Sequence, residues 1–427
     1  MDSLLQKDEN LLWHPYTQHK KALPCLAITK AEGVYLIDEN GNKYIDAISS
    51  WWTNLHGHAH AYIAEKIYEQ ALRLEHVIFA GCTHPPAVQL AEKLLPLLPG
   101  NMGKLFYSDN GSTAVEVGIK MAIQYWRNKN ENKRNKILAF RHSYHGDTFG
   151  AMSISERSVF TLAFDNYLFD VVFIDTPCQK NIHTLIAEIK KQGPETLCFI
   201  YEPLVQGAGG MRMYDAMLMD EVLSEIKNHG IICIADEVMT GFGRTGKLFA
   251  SHYLQKAPDI ICISKGLTGG ALPMAATACN NKIYEAFLSD DKEKTFFHGH
   301  SYTANPLGCA AALASLDLLE KEACKKNIEL ISLQNRQFVN ELLANKNLTG
   351  VKNPRSSGTI MAFELQSGDN IYLSNIRDEM ISRSLNEGVL IRPLGNTIYI
   401  MPPYCITKEE LGKVYLVLKK IIDRFGS

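Results

Sequence analysis

The 427-residue sequence has no run approaching the roughly 18 apolar residues of a membrane-spanning helix, and its first residues, MDSLLQKDENLLWHPY, lack a basic segment leading into an apolar one. Neither membrane insertion nor export is expected. The ten cysteines (Cys25, Cys82, Cys178, Cys198, Cys233, Cys262, Cys279, Cys309, Cys324 and Cys405) form no C-x-x-C pair, and several lie inside apolar runs such as GIICIAD and DIICIS. They read as reduced, buried thiols of a cytoplasmic protein. An excess of one charge is missing too: 44 Lys and Arg face 46 Asp and Glu, a net charge of −2, so no nucleic-acid partner is implied. The one dense charge run, RNKNENKRNK at Arg127–Lys136, mixes signs with asparagines and reads as a solvated loop. Internal repeats and low-complexity segments are absent as well.

What is present is an ordinary globular composition, 46% hydrophobic, on a chain long enough for two or three domains. After an irregular N-terminal arm, GVYLID and KYIDAIS flank Glu39-Asn40-Gly41-Asn42, which predicts a β-hairpin with Asn-Gly at its tip. From about Ala61 to Leu319, the apolar segments KLFYSD, KILAF, DVVFID, LCFIYEP, IICIADE and DIICISK alternate with helical patterns. In AVEVGIKMAIQYW the residues Val115, Ile119, Ala122, Ile123 and Trp126 share a stripe, and MLMDEVLSEIKNHG ends in a C-cap glycine, Gly230. Near-continuous apolar strands with crossover helices predict an α/β fold whose mostly parallel sheet is covered on both faces. A long helix around CAAALASLDLLEKEACKKN leads into a last region, where TIMAFEL, VLIRPL and TIYIMPP suggest a small antiparallel sheet beside helices. The expected division is residues 1–60 (arm and hairpin, part of a small domain), 61–319 (large domain) and 320–427 (small α+β domain).

Ligands of such sheets bind at the carboxyl ends of the strands, and three features fall there. FYSDNGSTAVEV places Asn110-Gly111-Ser112-Thr113 between a strand and a helix, either a simple N-cap or an anion cradle. Asp236-Glu237 ends IICIADE, where a carboxylate could hold a metal, cap the next loop or pair with a cationic ring nitrogen. Lys265 ends DIICIS before Gly266-Leu267-Thr268-Gly269-Gly270. An isolated lysine there is ordinarily a solvated turn residue. Asp236 and Lys265, however, are about 30 positions apart, one βαβ unit, so both can end neighbouring strands at one edge. A phosphate cradle, a carboxylate and a partly buried lysine together meet the demands of pyridoxal 5′-phosphate (PLP).

Other chemistries fit less well. GFGRTGKL at Gly241–Leu248 nearly matches a phosphate loop, but Leu248 replaces the metal-binding hydroxyl, and the acidic strand runs straight into the loop. GAGGMR carries Arg212 at the last glycine position of a dinucleotide fingerprint. His56, His58 and His60, or His298 and His300, lack the carboxylate or cysteine spacing of a metal site, and none is expected.

The motifs NGS, YHG at Tyr144–Gly146, EP-x-x-QG at Glu202–Gly207, ADE at Asp236, GFGRTG and SKGLTGG resemble those of the class III, fold-type I PLP-dependent aminotransferases. WHPYTQ at Trp13–Gln18, SSWW at Ser49–Trp52, HSYHGDTFGAMS, VQGAGGMRMY and IRPLGNTIYIMPPY at Ile391–Tyr404 resemble the branch that aminates 7-keto-8-aminopelargonate in biotin synthesis. The resemblance implies Lys265 as the Schiff-base lysine and Asp236 as partner of the pyridine nitrogen. It implies that Gly111 and Ser112 hold the phosphate with Ser301 of a neighbouring subunit, and that Tyr144 stacks on the ring. Tyr16, Trp51, Gly299, Arg392 and Tyr399, together with Lys265, would line the substrate pocket. A homodimer follows from the shared site, with S-adenosylmethionine or lysine as the amino donor. His300-Ser301 departs from the Pro-Thr typical of members using adenosylmethionine, and resembles the variant of branches using lysine. Another class III aminotransferase, acting on ornithine, 4-aminobutyrate or a diamine, would leave WHPYT and SSWW without a role.

Overall fold

All six apolar segments become strands of one seven-stranded sheet. Its spatial order is Met102–Ser108, Ala275–Asn280, Ile260–Ile263, Ile232–Asp236, Thr196–Tyr201, Lys136–Phe140 and Val172–Ile174. The computed structural model describes residues 3–366 and 375–425. Six strands run parallel, and Ala275–Asn280 is antiparallel to both of its neighbours. The central strands are buried at every residue, with side chains alternating between two cores. Cys233, Ala235, Ile261 and Ile263 face one core, and Ile232, Ile234, Ile260 and Cys262 face the other.

The seventh strand escapes sequence reasoning because AATACN consists mainly of small residues, with one β-branched side chain. The small side chains serve the helix above them, Gly111–Asn128. Thr277 Oγ1 donates to the Ala114 carbonyl at 2.7 Å. A Cβ on Gly118 would lie 3.1 Å from Cys262 Sγ, so the glycine lets the helix approach this closely without displacing that thiol. The buried face of that helix is broader than the expected stripe and turned from it, including Ala114, Val117, Met121 and Tyr125. Ile123, expected on that face, is 46% exposed. Trp126 sits at the margin, its indole donating to the Leu197 carbonyl at 2.8 Å under the guanidinium of Arg134. Gly230 follows the helix Ala216–Asn228 with φ +69°, as a C-cap glycine should.

The hairpin forms from Tyr35–Asp38 and Lys43–Asp46, with Gly41 at φ +84° and Asp38 Oδ1 accepting the N–H groups of Asn40 and Asn42. Several features differ from expectation. The arm opens with a helix, Leu4–Leu11, closed by a capping box between Ser3 and Gln6. Val389–Leu390, expected in the C-terminal sheet, instead pairs in parallel with Lys43–Asp46 and joins the hairpin's sheet. The antiparallel sheet is completed by the polar segment Val351–Ser357, alongside Ile360–Leu365 and Thr397–Ile400. The long helix is two, Pro306–Leu319 and Glu322–Ala344, broken at Glu320-Lys321.

One buried cation ties these parts together. Arg244, in the glycine loop after the Asp236 strand, is 1% exposed. Its guanidinium donates to the carbonyls of Trp52 (3.2 Å), Asn54 (2.9 Å) and Pro402 (3.1 Å) and lies 5.1 Å from the Tyr404 ring centre. Its own carbonyl accepts from Thr359 N at 2.9 Å. Replacing Arg244 by Ala strands three buried carbonyls, each worth about 1–3 kcal/mol, and should lower the thermal unfolding midpoint strongly. Arg244→Lys should recover only part of that loss, because an ammonium cannot span the three acceptors as a planar fork does.

Candidate active site

The sheet's topology brings five chain segments to one edge. Asp236 and Cys262 are register partners on adjacent parallel strands, so Asp236 ends one strand where Ser264-Lys265 leaves the next. Two successive antiparallel pairings give the strand Met102–Ser108 the same direction as Ile260–Ile263, so the Asn110–Ser112 turn emerges on this edge too. His142–Gly146 follow Lys136–Phe140, and Glu202 follows Thr196–Tyr201.

Lys265 has φ +42°, a conformation rare for a side-chain-bearing residue, in a single 3-10 turn held by Leu267 N donating to Ser264 O. Its Nζ stands 4.7 Å above the Trp52 ring and, among the described residues, makes no hydrogen bond or ion pair. Asp236 is nearly buried; Oδ1 accepts from Val238 N at 3.0 Å and Oδ2 lies 2.7 Å from His145 Nδ1. The neighbouring Glu237 points away and caps the glycine loop, accepting from Thr240 Oγ1, Ala250 N and Ser251 N. Of the two carboxylates that end this strand, therefore, one faces the site and the other fills the loop-capping role.

The far wall is built on a backbone of the opposite hand. Ser49, Ser50, Trp51 and Trp52 all have positive φ (51°, 44°, 66° and 75°), forming a left-handed helical turn without glycine. Such a turn costs about 1–2 kcal/mol per residue and requires external support. Ser49 Oγ donates to the Met401 carbonyl (2.7 Å), Ser50 Oγ to Asp46 Oδ2 (2.7 Å), and Trp52 Nε1 to Tyr399 OH (3.0 Å). The turn sends the two indoles in different directions. Trp52 is buried beneath Lys265, while Trp51 is 36% exposed with the Arg392 guanidinium 4.6 Å from its ring centre. Tyr16 packs edge-on to Trp51 at 5.4 Å, and its hydroxyl contacts Asp147 and lies 3.1 Å from Tyr144 OH.

Burial lowers the pKa of Lys265, favouring the free amine, while Asp236 and Glu202 oppose that shift. Glu202 is pushed up to about 7, chiefly by burial, with Asp236 adding to the shift and His145 opposing it. Its two oxygens accept from Tyr144 N (3.1 Å) and Gly207 N (2.7 Å). Tyr144 is raised well above the phenolic range by burial, by its hydrogen bond with Tyr16 and by Asp147.

These residues fit PLP on three observations. The N–H groups of Gly111 and Ser112, first in their helix, have no acceptor among the described residues, as a phosphate cradle requires. A side chain at Gly146 would collide with Ser112 Oγ, and one at Gly111 would come within 2.7 Å of Val238, so both glycines keep the cradle open. Among the described residues, His145 Nε2 is buried without a partner and Lys265 Nζ makes no hydrogen bond or ion pair. The remaining expected positions are spread more widely. Tyr399 lies buried behind Trp52, while Gly299 and Ser301 are exposed on a loop whose His300 Nε2 is 3.9 Å from Asp109. No hydrogen bond joins Ser301 to the cradle within this chain among the described residues. His145, Glu202, Asp147 and Trp52 were not singled out for the site, although YHG, EP-x-x-QG and SSWW were visible as motifs.

The family model described as aminotransferase class-III matches residues 16–422. An adenosylmethionine-8-amino-7-oxononanoate aminotransferase of Synechococcus elongatus is 46% identical, over 96% of this chain and 98% of its own. The crystal structure of the enzyme of that name from Methanocaldococcus jannaschii superposes with a TM-score of 0.94 at 38% identity, covering 99% of each chain. An amine transaminase from an uncultivated Pseudomonas species, solved in its PLP-bound form, gives a TM-score of 0.89 at 30% identity, covering 97% of this chain and 99% of its own.

The raised Glu202 sets a pH dependence whose sign is fixed. Between its ordinary 4.5 and about 7, the native chain holds a proton that the unfolded chain has released. The group's contribution to stability is therefore fullest below 4.5 and declines as the pH rises through 7. Thermal unfolding midpoints across this interval should fall less steeply in Glu202→Gln, which cannot titrate, than in the unaltered protein.

Proposed function

The chain belongs to the class-III aminotransferase family, and we propose that it is a PLP-dependent aminotransferase converting 7-keto-8-aminopelargonate (8-amino-7-oxononanoate) to 7,8-diaminopelargonate in biotin biosynthesis, with S-adenosylmethionine as amino donor. The observation that carries the reading is the Lys265 amine, desolvated and, among the described residues, without an acceptor, on the strand edge beside Asp236. The names of the relatives, matched over nearly their full length, support the substrate.

When bound, PLP supplies an electron sink that stabilises the carbanion left when a proton departs from the donor's α-carbon. The rest is the work of this chain's residues. Gly111 and Ser112 would hold the phosphate through their free N–H groups. Asp236, fixed by Val238 N and His145, would keep the pyridine nitrogen cationic. Tyr144 would cover the ring. Lys265 Nζ would hold the cofactor covalently, and once displaced would act as the base that takes the donor's α-proton and as the acid that gives a proton to the acceptor carbon in the second half-reaction. Its lowered pKa suits that role, because a base must be free of its proton to begin. Donor and acceptor would occupy one pocket in turn, in a ping-pong cycle. Tyr16 and Trp51 would cover the aliphatic chain, with Gly299 and Tyr399 completing the lining, and Arg392 would clamp the carboxylate of the keto acid bidentately.

The second reading, lysine as donor, rests on His300-Ser301 in place of the Pro-Thr typical of adenosylmethionine users. A homodimer would let Ser301 of one subunit reach the cradle of the other. Exposed Phe297 and Tyr302 on the same loop support an interface there. The division into residues 1–60, 61–319 and 320–427 is supported by the helix break at Glu320-Lys321 and by the hairpin sharing its sheet with Val389–Leu390. All ten cysteines are free, in keeping with a cytoplasmic setting, although Cys25, Cys82, Cys178 and Cys405 are exposed and not buried as the sequence suggests. No helix among the described residues is long and apolar enough to cross a membrane.

Lys265→Ala should abolish turnover and remove the near-visible absorbance of the lysine-attached cofactor; a variant retaining either would defeat the assignment. Supplied with 7-keto-8-aminopelargonate and either adenosylmethionine or lysine, the unaltered enzyme should form product with adenosylmethionine. Product with lysine alone would transfer the donor assignment, and no product with either would redirect the search to other class III substrates.

A further inference from the structure

The N-terminal arm brings together three side chains that the sequence keeps apart. His14 Nε2 lies 2.8 Å from Asp8 Oδ2 and 3.8 Å from Cys25 Sγ, and the three potential ligand atoms all fall within 4.8 Å of one another. Among the described residues no other histidine, cysteine and acid side chains gather in threes this tightly. The residues come from separate pieces of the arm: Asp8 from the helix Leu4–Leu11, His14 from the following extended turn, and Cys25 from the segment entering the strand Ile28–Glu32. The backbone N–H of His14 donates to His19 Nε2 at 2.9 Å, and the two imidazoles stack at 5.7 Å, which holds the His14 backbone in place.

We propose that Asp8, His14 and Cys25 form a zinc site that fastens the arm, with water as the fourth ligand. Carboxylate, imidazole and thiolate form a borderline-soft donor set that suits Zn²⁺ and disfavours Ca²⁺ or Mg²⁺. Tetrahedral coordination at ordinary zinc–ligand lengths puts neighbouring ligand atoms about 3.4–3.6 Å apart. The observed 2.8 Å and 3.8 Å bracket that range. Entry of the ion therefore requires the Asp8 carboxylate to give up its hydrogen bond to His14 and swing away from the imidazole, while the thiol closes on both partners, all from positions within 4.8 Å of one another. All three side chains are partly or wholly exposed and free to make these shifts. The consequence reaches the pocket by two peptide bonds, because Pro15 and Tyr16 follow His14 directly and Tyr16 touches Asp147 and Trp51. Joining three separated pieces of the arm would hold Tyr16 in place over the pocket.

Chelator-treated protein, titrated with Co²⁺ and then Zn²⁺, provides the test. The expected result is one ion per chain, with cobalt giving near-ultraviolet thiolate charge transfer and, at wavelengths beyond the cofactor's absorption, the strong visible bands of a tetrahedral site. His14→Ala and Cys25→Ser should lose these bands while keeping the absorbance of bound cofactor, which certifies their folding. Lys265→Ala should bind cobalt as the unaltered protein does, so failure of the metal site and failure of the aminotransferase reading can be told apart. Added zinc should also slow tryptic cleavage at the exposed Lys20-Lys21. Absence of stoichiometric binding, or tetrahedral bands that persist in Cys25→Ser, would overturn the proposal.

Discussion

The guanidinium of Arg244 donates at once to carbonyls of the N-terminal turn and of the last strand's exit, while its backbone is bonded to the C-terminal sheet. A planar cation buried without a carboxylate partner is stable only if several oxygens converge on it, so these segments take up fixed positions relative to the glycine loop after Asp236. That loop is in turn fixed by Glu237, whose oxygens bond Thr240, Ala250 and Ser251. Rigidity thus passes from the central sheet, through one buried acid and one buried base, to the wall that faces Lys265. Asp236 and Glu237 are adjacent in sequence, yet one turns to His145 and its neighbour secures the glycine loop, because successive residues at a strand's end point to opposite sides.

Electrostatics at the strand edge follow from the same compactness. Burial drives Lys265 toward its neutral form and Glu202 toward its protonated one, while Asp236 remains bonded to His145 and to a backbone N–H. Asp236 and Glu202 together would be an excess of negative charge. Burial eases it by favouring the protonated form of Glu202, while the hydrogen bonds of Asp236 to Val238 N and His145 hold that carboxylate in place. A whole-chain charge of −2 conceals this local balance, which exists only because crossovers fold five strand ends onto one edge.

Much of this could be read in advance where the signal is local or repeats at a set spacing. Buried parallel strands advertise themselves as apolar runs, and Asp236 and Lys265 sit at the separation of one crossover. The strand Ala275–Asn280 could not be read, since its small residues answer to the helix packed above them and not to strand propensity. Val389–Leu390 has the composition of a strand, but nothing within it chooses which sheet to join. Trp52 offered a tryptophan for the core, and its position under Lys265 depends on a contact between distant segments. His145 was visible within YHG, but the unpartnered nitrogen that marks its place in the site appears only once the fold surrounds it.

The left-handed turn at Ser49–Trp52 bears on the order in which the molecule comes into being. Four residues of the wrong hand cannot persist in a free chain, because each favours the opposite conformation until its supports arrive. Beyond the local Asp46, those supports are Tyr399, Met401 and Arg244, and two of the three lie about 350 residues further along the chain. As the chain emerges from the ribosome, its central sheet can assemble from sequential units while the indole wall remains unformed. The wall is therefore completed only when the strand Thr397–Ile400 returns to this turn, and a chain interrupted before that point would carry Lys265 without the indole that faces it.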